Sequence, residues 1–503
     1  MNVAIKSKVL QPALRSACAA ICAFLFLSSL AQAAPQQLGL HLSPCTQGHS
    51  KVAAQCGTFG VYEDRGARSG RILELQVVVL RAKHPSHRAI AQIAGGPGEG
   101  TVFFAPLIAD RVFGKEVFAL RDKYDVLFVD NRGMGGSNPF KCDFTPDASP
   151  GEYFKQLFPD RAVTACRART VTTHGFGLYN TNNAVDDLDD VRAALGIPKL
   201  VLNGGSYGTF FSLVYVRRHP EHVESAVLSG VVAPHFWALP GAPAGAQTAM
   251  DDLKIKCKHD ALCDAHFPRF AEHFDALVLR FDRGPIVVPV LNAATKRVER
   301  VALSKEVFVD HLRQVLYDPG SASSVPFIIE RAYYKDYAPL AQVLNVVSRA
   351  LGSQLDMGAL LSYSCGDEMP FIDDAGLQKE AAHSFAGDLR VRAERRACSL
   401  WNVPAMPASF NDIVHSNVPV LMINGSDDPA TPPRYAGLAL RYLPNGRQVL
   451  VQGAGHAPDT PCTSALIEQF VRASSAKGLD LNKCRAALTL PRFDLSLKGW
   501  PKL

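Results

Sequence analysis

The sequence lacks a strong charge of either sign, any Cys-x-x-Cys pair and, after residue 33, any apolar run long enough to cross a bilayer. Its 53 basic and 47 acidic side chains leave a formal net charge of +6 over 503 residues. An excess this small argues against binding to nucleic acid or to an anionic membrane. The missing Cys-x-x-Cys spacing argues against a structural zinc site. We therefore expect no metal and no other cofactor.

The first 33 residues have the features of an export signal. Three basic residues come before an apolar run at 17–30, and Ala31-Gln32-Ala33 supplies a small-x-small cleavage site. Because the run is too short to span a bilayer comfortably, a retained membrane anchor is the less favoured alternative. The sequence thus predicts a signal peptide at 1–33 and an exported mature chain, periplasmic or secreted. The net charge of the mature chain is +3 and not +6, because the signal carries three positive charges and no negative one.

Ten of the twelve cysteines lie after residue 33. An even number of cysteines in an exported protein predicts disulfide bonds. Pairing neighbours along the chain closes five loops of short or moderate length. The predicted bridges are Cys45–Cys56, Cys142–Cys166, Cys257–Cys263, Cys365–Cys398 and Cys462–Cys484. A metal site at the third pair is the alternative, and an oxidising compartment disfavours it.

Short apolar runs, such as those at 72–80, 199–203 and 418–424, alternate with stretches of helical spacing, such as 183–195. This alternation predicts an α/β fold with a mostly parallel sheet that helices cover on both faces. In open sheets of this kind, functional side chains lie in the loops at the carboxyl ends of the strands. The candidate residues are therefore sought in those loops.

The alternation stops between about 233 and 407, where the chain becomes mainly helical apart from a β-like piece at 285–291. Helices are expected at 251–283, 305–317 and 324–351. We interpret this part as a helical cap inserted above the sheet. The predicted domains are a first core part at 34–232, the cap at 233–407 and a second core part at 408–503.

A candidate nucleophile, Ser206, lies at the apex of a strand, a sharp turn and a helix over residues 200–218. Gly204, Gly205 and Gly208 flank it. Glycines at these places allow strand and helix to pass close together while the turn holds the serine in strained backbone angles. The alternative is a tight strand-to-helix turn with an inert serine.

A serine hydroxyl is a weak nucleophile and needs a base, which in turn needs an orienting carboxylate. In a strand-to-helix serine site these groups follow later strands in the order Ser, Asp, His. Asp428 follows the apolar run at 418–424, and His456 follows the one at 448–452. Asp427 competes for the acidic role, but Asp428 is favoured because a proline fixes the turn directly after it.

Acyl transfer also requires hydrogen-bond donors for the developing oxyanion. The N–H of Tyr207, the residue after the nucleophile, is one candidate. Gly96, in the segment Gly95-Gly96-Pro97-Gly98, supplies the second candidate N–H because Pro97 has none. Arg132, in a strand end and turn at 130–137, is interpreted as a structural residue that forms hydrogen bonds beneath the site.

Together, the motifs Gly95-Gly-Pro-Gly98, Asp130-Asn-Arg-Gly133, Gly204-Gly-Ser-Tyr-Gly208 and Asp428-Pro-Ala-Thr-Pro432 with His456 resemble the α/β-hydrolase-fold serine peptidases of the prolyl and tripeptidyl aminopeptidase group. The resemblance covers about residues 45 to 490. It implies an α/β-hydrolase fold with a helical cap, and peptide cleavage near a free N-terminus through an acyl-enzyme on Ser206. Ala94 stands where the prolyl enzymes usually have histidine, which favours the secreted tripeptidyl-type branch.

Such exopeptidases need an anion that pairs with the ammonium group of a peptide substrate. Asp367 and Glu368 are nominated for that role, and a solvated pair of loop residues is the alternative. Two other functions stay open at this point. One is a carboxylic ester hydrolase on the same fold and triad. The other, less favoured, is a catalytically silent binding protein.

Overall fold

The computed structural model describes residues 38–142, 144, 150–292, 295–482, 484 and 491–498. The predicted signal peptide lies outside these residues. The strands are β1 (Gly39–Gln47), β2 (Val52–Asp64), β3 (Ser69–Leu80), β4 (Arg88–Ile93), β5 (Tyr124–Val129), β6 (Leu200–Gly205), β7 (Val223–Ser229), β8 (Ile286–Leu291), β9 (Val298–Leu303), β10 (Val420–Gly425) and β11 (Gly446–Val451). All except β8 and β9 belong to one nine-stranded sheet.

The helices cover both faces of this sheet and fill the segment between β7 and β10. They are α1 (Phe104–Ala109), α2 (Lys115–Leu120), α3 (Pro150–Tyr153), α4 (Asp160–Thr170), α5 (Thr181–Ala194), α6 (Tyr207–Arg218), α7 (Ala238–His259), α8 (Ala261–His266), α9 (Phe270–Asp282), α10 (Lys305–Val315), α11 (Pro319–Ala322), α12 (Val325–Tyr333), α13 (Ala338–Gly352), α14 (Met357–Asp367), α15 (Asp374–Ala381), α16 (Leu389–Trp401), α17 (Pro433–Ala439) and α18 (Pro461–Ala473). Among the described helices, none has both the length and the apolar character that a bilayer crossing requires.

The sheet has the strand order β1-β2-β3-β5-β4-β6-β7-β10-β11. From β5 to β11 in this order every neighbouring pair is parallel, which confirms the predicted mostly parallel sheet. The strands β1, β2 and β3 form an antiparallel edge that the sequence did not predict. The strand β1 was missed because it has no regular alternation of buried and exposed residues.

Alternate side chains of the central strands enter two separate apolar cores. Ala89 and Ala91 of β4 pack among α5, α6 and α14, whereas Ile90 packs on the opposite face with α1, α2 and α18. A strand buried on both faces needs apolar residues at nearly every position, which is why β4, β5 and β6 appear in the sequence as continuous apolar runs. The carboxyl ends of these strands are thereby fixed at one edge of the sheet.

The segment at 230–419, called here the inserted segment, forms most of a further apolar core, to which Tyr153 and Phe154 also contribute. Phe281 of α9 and Phe308 of α10 stack within it with ring centroids 4.2 Å apart. The helical stretch expected at 251–283 consists of the end of α7, then α8 and α9. The β-like piece at 285–291 is β8, which pairs with the unforeseen strand β9.

The ten cysteines pair in the structure as predicted. The Cα atoms of the five pairs lie between 5.1 Å (Cys257–Cys263) and 5.8 Å (Cys45–Cys56) apart. These separations fall within the range that a disulfide requires. Because Cys257 and Cys263 form one of these bridges, the metal alternative for that pair is wrong.

Candidate active site

Ser206 lies between β6 and α6 with backbone angles φ 53° and ψ −123°. Residues other than glycine seldom adopt a positive φ, so the surrounding structure must hold this conformation in place. Its N–H donates to the carbonyl of Ser229, 2.9 Å away, at the end of the neighbouring strand β7. A Cβ added to Gly204 would lie 2.3 Å from the carbonyl oxygen of Gly208. The strand and the helix can therefore approach this closely only because Gly204 has no side chain, as predicted.

Asp428 and His456 meet in the loops that follow β10 and β11. Nδ1 of His456 lies 3.0 Å from Oδ2 of Asp428 and 3.1 Å from its Oδ1. Because a carboxylate can only accept hydrogen bonds, this contact places the proton on Nδ1 and leaves Nε2 free to act as a base. Thr431 fixes the carboxylate further, since its N–H donates to Oδ1 at 2.8 Å and its hydroxyl to Oδ2 at 2.6 Å.

Asp428 is 2% exposed, and burial alone would raise the pKa of its carboxyl. The charge of His456 and the hydrogen bonds from His456 and Thr431 outweigh burial and hold the pKa of Asp428 below its ordinary value. The competing residue Asp427 has different partners. It pairs with the ammonium group of Lys256 and accepts a hydrogen bond from the Ser426 hydroxyl at 2.5 Å. Of these two acids, Asp428 is the one that forms a hydrogen bond with His456.

The inserted segment holds the backbone of the histidine loop. The N–H of His456 donates to the carbonyl of Tyr317, just after α10, at 2.8 Å. The two rings lie 4.9 Å apart between centroids. A Cβ on Gly455 would lie 2.2 Å from the same carbonyl oxygen, so a glycine is needed there. Sequence reasoning missed Tyr317, because nothing in the local pattern indicates that a helix end 139 positions before His456 contacts it.

Ser206 and His456 line one cavity of about 310 Å³ between the sheet edge and the inserted segment. Gly96 and Tyr207, the two candidate oxyanion donors, line it as well. Among the described residues, no acceptor takes the N–H of either one, whereas the N–H of Gly95 donates to Glu99 at 3.2 Å. The structure thus brings the serine, the histidine and both candidate donors to one space. No hydrogen bond joins Ser206 to His456 within the described part of the chain.

Asp367 and Glu368, at the end of α14, also line this cavity. Asp367 is 2% exposed, so the solvated-pair alternative is wrong for it. Its Oδ2 accepts from the N–H and the hydroxyl of Thr181 at 2.9 and 2.6 Å, and its buried Oδ1 has no partner among the described residues. Burial raises the pKa of Asp367 to about 7. Burial, followed by repulsion from Glu394, raises the pKa of Glu368 to about 8.

Three further charged residues of the cavity wall escaped the sequence analysis. Arg390 donates to Glu394 at 2.9 Å and to the buried Asp310 at 3.3 Å. Arg313 donates to the same Asp310 at 2.8 Å, and its second nitrogen lies 2.6 Å from the Tyr317 hydroxyl. These residues occupy ordinary polar positions on α10 and α16, so the sequence carries no signal that they converge.

Arg132 lies beneath the site and has the structural role that the sequence predicted. Its side chain is fully buried and makes two hydrogen bonds to Asp187, at 2.7 and 2.9 Å. It also donates to the carbonyl of Glu63 at 2.8 Å. A buried arginine with a paired carboxylate and carbonyl acceptors is fully satisfied, so it contributes to the frame of the site.

Two family models match this chain. The model described as "alpha/beta hydrolase fold" matches residues 95–265, which include the strands and turn around the candidate nucleophile. The model described as "TAP-like protein" matches residues 384–482, which include Asp428 and His456. The chain has the α/β-hydrolase fold. The stretch between the two matches, residues 266–383, lies within the inserted segment. Each match therefore contains part of the candidate triad.

The curated relatives of the hydrolase include named serine peptidases. "Serine protease Hip1" of Mycobacterium tuberculosis is 23% identical over 82% of this chain and 84% of its own. "Tripeptidyl aminopeptidase" of Streptomyces lividans is 30% identical over 36% of each chain. "Proline iminopeptidase" of Neisseria gonorrhoeae is 28% identical over 31% of this chain and 36% of its own. These relatives, together with the fold, make this protein a serine hydrolase related to peptidases.

Proposed function

We propose that the hydrolase is an exported serine peptidase that cleaves peptides near a free N-terminus, as a tripeptidyl- or prolyl-type aminopeptidase. The observation that carries the proposal is the composition of one cavity. Ser206 in its strained turn and His456, which Asp428 holds, line the same cavity as the buried carboxylate of Asp367 and the half-buried one of Glu368. The first three groups suit acyl transfer, and the carboxylates suit a positively charged substrate terminus.

In the proposed reaction, Nε2 of His456 takes the proton of the Ser206 hydroxyl while the serine oxygen attacks the peptide carbonyl carbon. The N–H groups of Gly96 and Tyr207 stabilise the oxyanion that forms. His456 then gives its proton to the leaving amine, the C–N bond breaks, and an ester on Ser206 remains. Water hydrolyses this ester by the same proton transfers, releases the N-terminal fragment and restores the serine.

The cavity carboxylates are proposed to bind the substrate's ammonium group. Asp367 has an unpartnered buried oxygen, and Glu368 accepts only the N–H of Leu239, at 3.3 Å, among hydrogen bonds in the described residues. An ammonium group that arrives near them favours their charged form and lowers their raised pKa values. Glu394 adds a third carboxylate to the same wall. A peptide whose N-terminus is acetylated has no charge for these groups to bind.

The test compares Ala-Ala-Pro-aminomethylcoumarin with a free N-terminus, its N-acetylated form and p-nitrophenyl butyrate. We expect turnover of the free peptide, at least tenfold weaker kcat/KM for the acetylated peptide, and loss of both in Ser206→Ala. Turnover of the ester alone would replace the peptidase proposal by the carboxylic ester hydrolase. Failure of a fluorophosphonate probe to label Ser206 would favour a catalytically silent protein.

We also propose that residues 1–33 direct export and that residues 233–407 act as a cap over the site. The five disulfides support export, because such bonds persist in oxidising compartments. The cap is supported by the further apolar core that the inserted segment mostly forms and by the contact of Tyr317 with His456. Sequencing the N-terminus of protein recovered from the cell envelope tests the export proposal, for which Ala34 is the expected first residue.

A further inference from the structure

A carboxylate lies beside the candidate nucleophile, and the proposed mechanism does not use it. Glu99 follows the Gly95–Gly98 segment after β4 and lines the catalytic cavity. The position that a Cβ would take on Gly95 lies 3.3 Å from Cβ of Ser206 and 3.6 Å from Oε2 of Glu99. Ser206 and the carboxylate of Glu99 therefore both lie next to Gly95 in the cavity wall.

The backbone around Glu99 is held in place by the inserted segment. Glu99 forms an antiparallel bridge with Leu355, and the N–H of Asp356 donates to the carbonyl of Gly98 at 2.8 Å. The carboxylate of Asp356 accepts in turn from the N–H of Gly135 at 2.7 Å. The Glu99 carboxylate itself accepts one hydrogen bond, from the N–H of Gly95. The backbone contacts with the inserted segment and the hydrogen bond from Gly95 thus fix the position of Glu99 in the cavity.

No cationic side chain pairs with Glu99 among the described residues. The two arginines of the cavity wall already have carboxylate partners, since Arg313 pairs with Asp310 and Arg390 with Glu394. Burial raises the pKa of Glu99, against the opposing effect of the Gly95 N–H. A half-buried carboxylate without a counter-ion is unfavourable. A negative charge near the developing oxyanion also opposes catalysis unless a cation neutralises it.

We propose that Glu99 selects substrates with a lysine or arginine side chain on the acyl side of the scissile bond, an inference that rests on the proposed peptidase function. The leaving amine must face His456, which gives it a proton. Among the hydrogen bonds of the described residues, none joins Glu99 to the groups that hold His456, namely Asp428, Thr431 and Tyr317. The acyl residue is the one whose side chain starts next to the attacked carbonyl carbon, and its cation would supply the charge that Glu99 lacks.

This role differs from recognition of the peptide N-terminus. Asp367 is held by Thr181 and Glu368 by the N–H of Leu239, so these acids belong to the α14 side of the cavity. Glu99 belongs to the loop after β4. The cavity wall thus carries anionic side chains on two different elements, and a peptide with a free N-terminus and a basic acyl residue carries two cations that can pair with them.

Four fluorogenic substrates test the inference: Ala-Ala-Lys-aminomethylcoumarin and Ala-Ala-norleucine-aminomethylcoumarin, each with a free and an acetylated N-terminus. Norleucine keeps the aliphatic stem of lysine and lacks its charge. We expect the wild-type hydrolase to favour lysine by about tenfold or more in kcat/KM, as charge-assisted pairing in a partly buried site allows. In Glu99→Gln the ratio of lysine to norleucine should fall close to one. Fluorophosphonate labelling of Ser206 shows that the variant has folded.

The controls separate this role from the others. Glu272→Gln removes an exposed glutamate that pairs with Arg269 outside the cavity and should leave the ratio unchanged. Glu368→Gln should weaken discrimination between free and acetylated peptides and keep the preference for lysine. A wild-type ratio near one, or an unchanged ratio in Glu99→Gln, would overturn the inference. So would a Glu99→Gln variant that loses discrimination of the N-terminus instead. If all four peptides resist cleavage while p-nitrophenyl butyrate is hydrolysed, the peptidase proposal itself fails, and the inference fails with it.

Discussion

At the scale of single residues, the candidate site depends on atoms that the fold holds in otherwise unfavourable states. Ser206 keeps a positive φ, and the carboxylate of Asp428 stays buried at 2% exposure. Strained angles and buried charges persist only where many neighbouring contacts determine them. For Asp428 those contacts come from Ala430, Thr431 and His456, which together donate hydrogen bonds to both carboxylate oxygens. A substitution that removes one hydrogen-bond partner of Asp428 therefore also weakens the positioning of the other partners.

The first residue-scale prediction concerns two neighbouring acids. Asp428→Asn should lower kcat by roughly a thousandfold or more, because an amide no longer fixes Nδ1 of His456 as the donor or stabilises the imidazolium. Asp427→Asn is the matched control, since Asp427 pairs with Lys256 and does not contact the histidine. Measured kcat on the preferred peptide should stay within a few-fold of wild type in that control. Equal losses in the two variants would refute the assignment of Asp428.

The second residue-scale prediction concerns pH. The pKa values of Asp367 and Glu368, raised to about 7 and about 8, mean that both carboxyls gain charge as the pH rises from 6 to 9. KM for a peptide with a free N-terminus should therefore fall over this range until the substrate's own amine, with a pKa of about 8, loses its proton. KM for the acetylated peptide should change little. A KM for the free peptide that is flat from pH 6 to 8 would contradict the proposed ammonium site.

The third residue-scale prediction concerns stability and the same two carboxyls. Their effect on the free energy of unfolding changes with pH in the opposite direction to that of an acid whose pKa is lowered by folding. A carboxyl whose pKa is higher in the folded than in the unfolded protein reduces the free energy of unfolding as pH rises from the unfolded pKa, near 4, to the folded one. The double variant Asp367→Asn/Glu368→Gln should therefore be more stable than wild type at pH 8, with a smaller difference at pH 4. Thermal unfolding at both pH values measures it, and a less stable variant at pH 8 would contradict the expectation.

At the scale of secondary-structure elements, the sequence predicts what depends on local pattern. The turn around Ser206 and the loops with Asp428 and His456 follow strands whose apolar runs are continuous, so both the strands and the order of the residues could be foreseen. The contact of Tyr317 with His456 could not, because it depends on where α10 ends relative to a distant loop. Glu99 was part of the predicted glycine-rich segment, but its lack of a cationic partner becomes visible only in three dimensions.

The buried charge cluster on α10 and α16 leads to a prediction at this scale. Asp310 is 2% exposed and accepts from both Arg313 and Arg390. Among the described residues, Asp310→Asn removes the carboxylate partner of Arg313 and leaves Arg390 with Glu394 alone. We expect the free energy of unfolding to fall by about 3–5 kcal/mol. Asp374→Asn is the control, because Asp374 is exposed, its partner Arg395 is half-buried at the surface, and such a pair contributes about 1 kcal/mol or less. Urea unfolding of both variants measures the difference, and similar losses would show that the buried cluster contributes no more than a surface pair.

At the scale of the whole molecule, the catalytic cavity needs both the sheet edge and the inserted segment. The sheet supplies Ser206 and His456, and the inserted segment supplies Asp367, Glu368 and the backbone contact from Tyr317. Alternation of strands and helices predicted the sheet, and the loss of that alternation is the sequence feature on which the proposed cap at 233–407 rests. The antiparallel edge formed with β1 could not be predicted, because that strand gains its order from pairing with β2 along its whole length and not from a buried face of its own.

The disulfides give the last prediction, which belongs to the whole molecule because a bridge acts on the unfolded chain as a whole. In the chain-entropy description, stabilisation grows with the length of the loop that is closed. Cys365–Cys398 spans 33 positions and Cys257–Cys263 only 6. Replacing the longer bridge by two alanines should therefore lower the free energy of unfolding by about 1.5 kcal/mol more than replacing the shorter one. Urea unfolding of the two double variants under non-reducing conditions measures this difference. Equal losses would mean that strain or packing, and not loop closure, sets the contribution of these bridges, and ten titratable thiols in the unfolded, unreduced protein would refute all five.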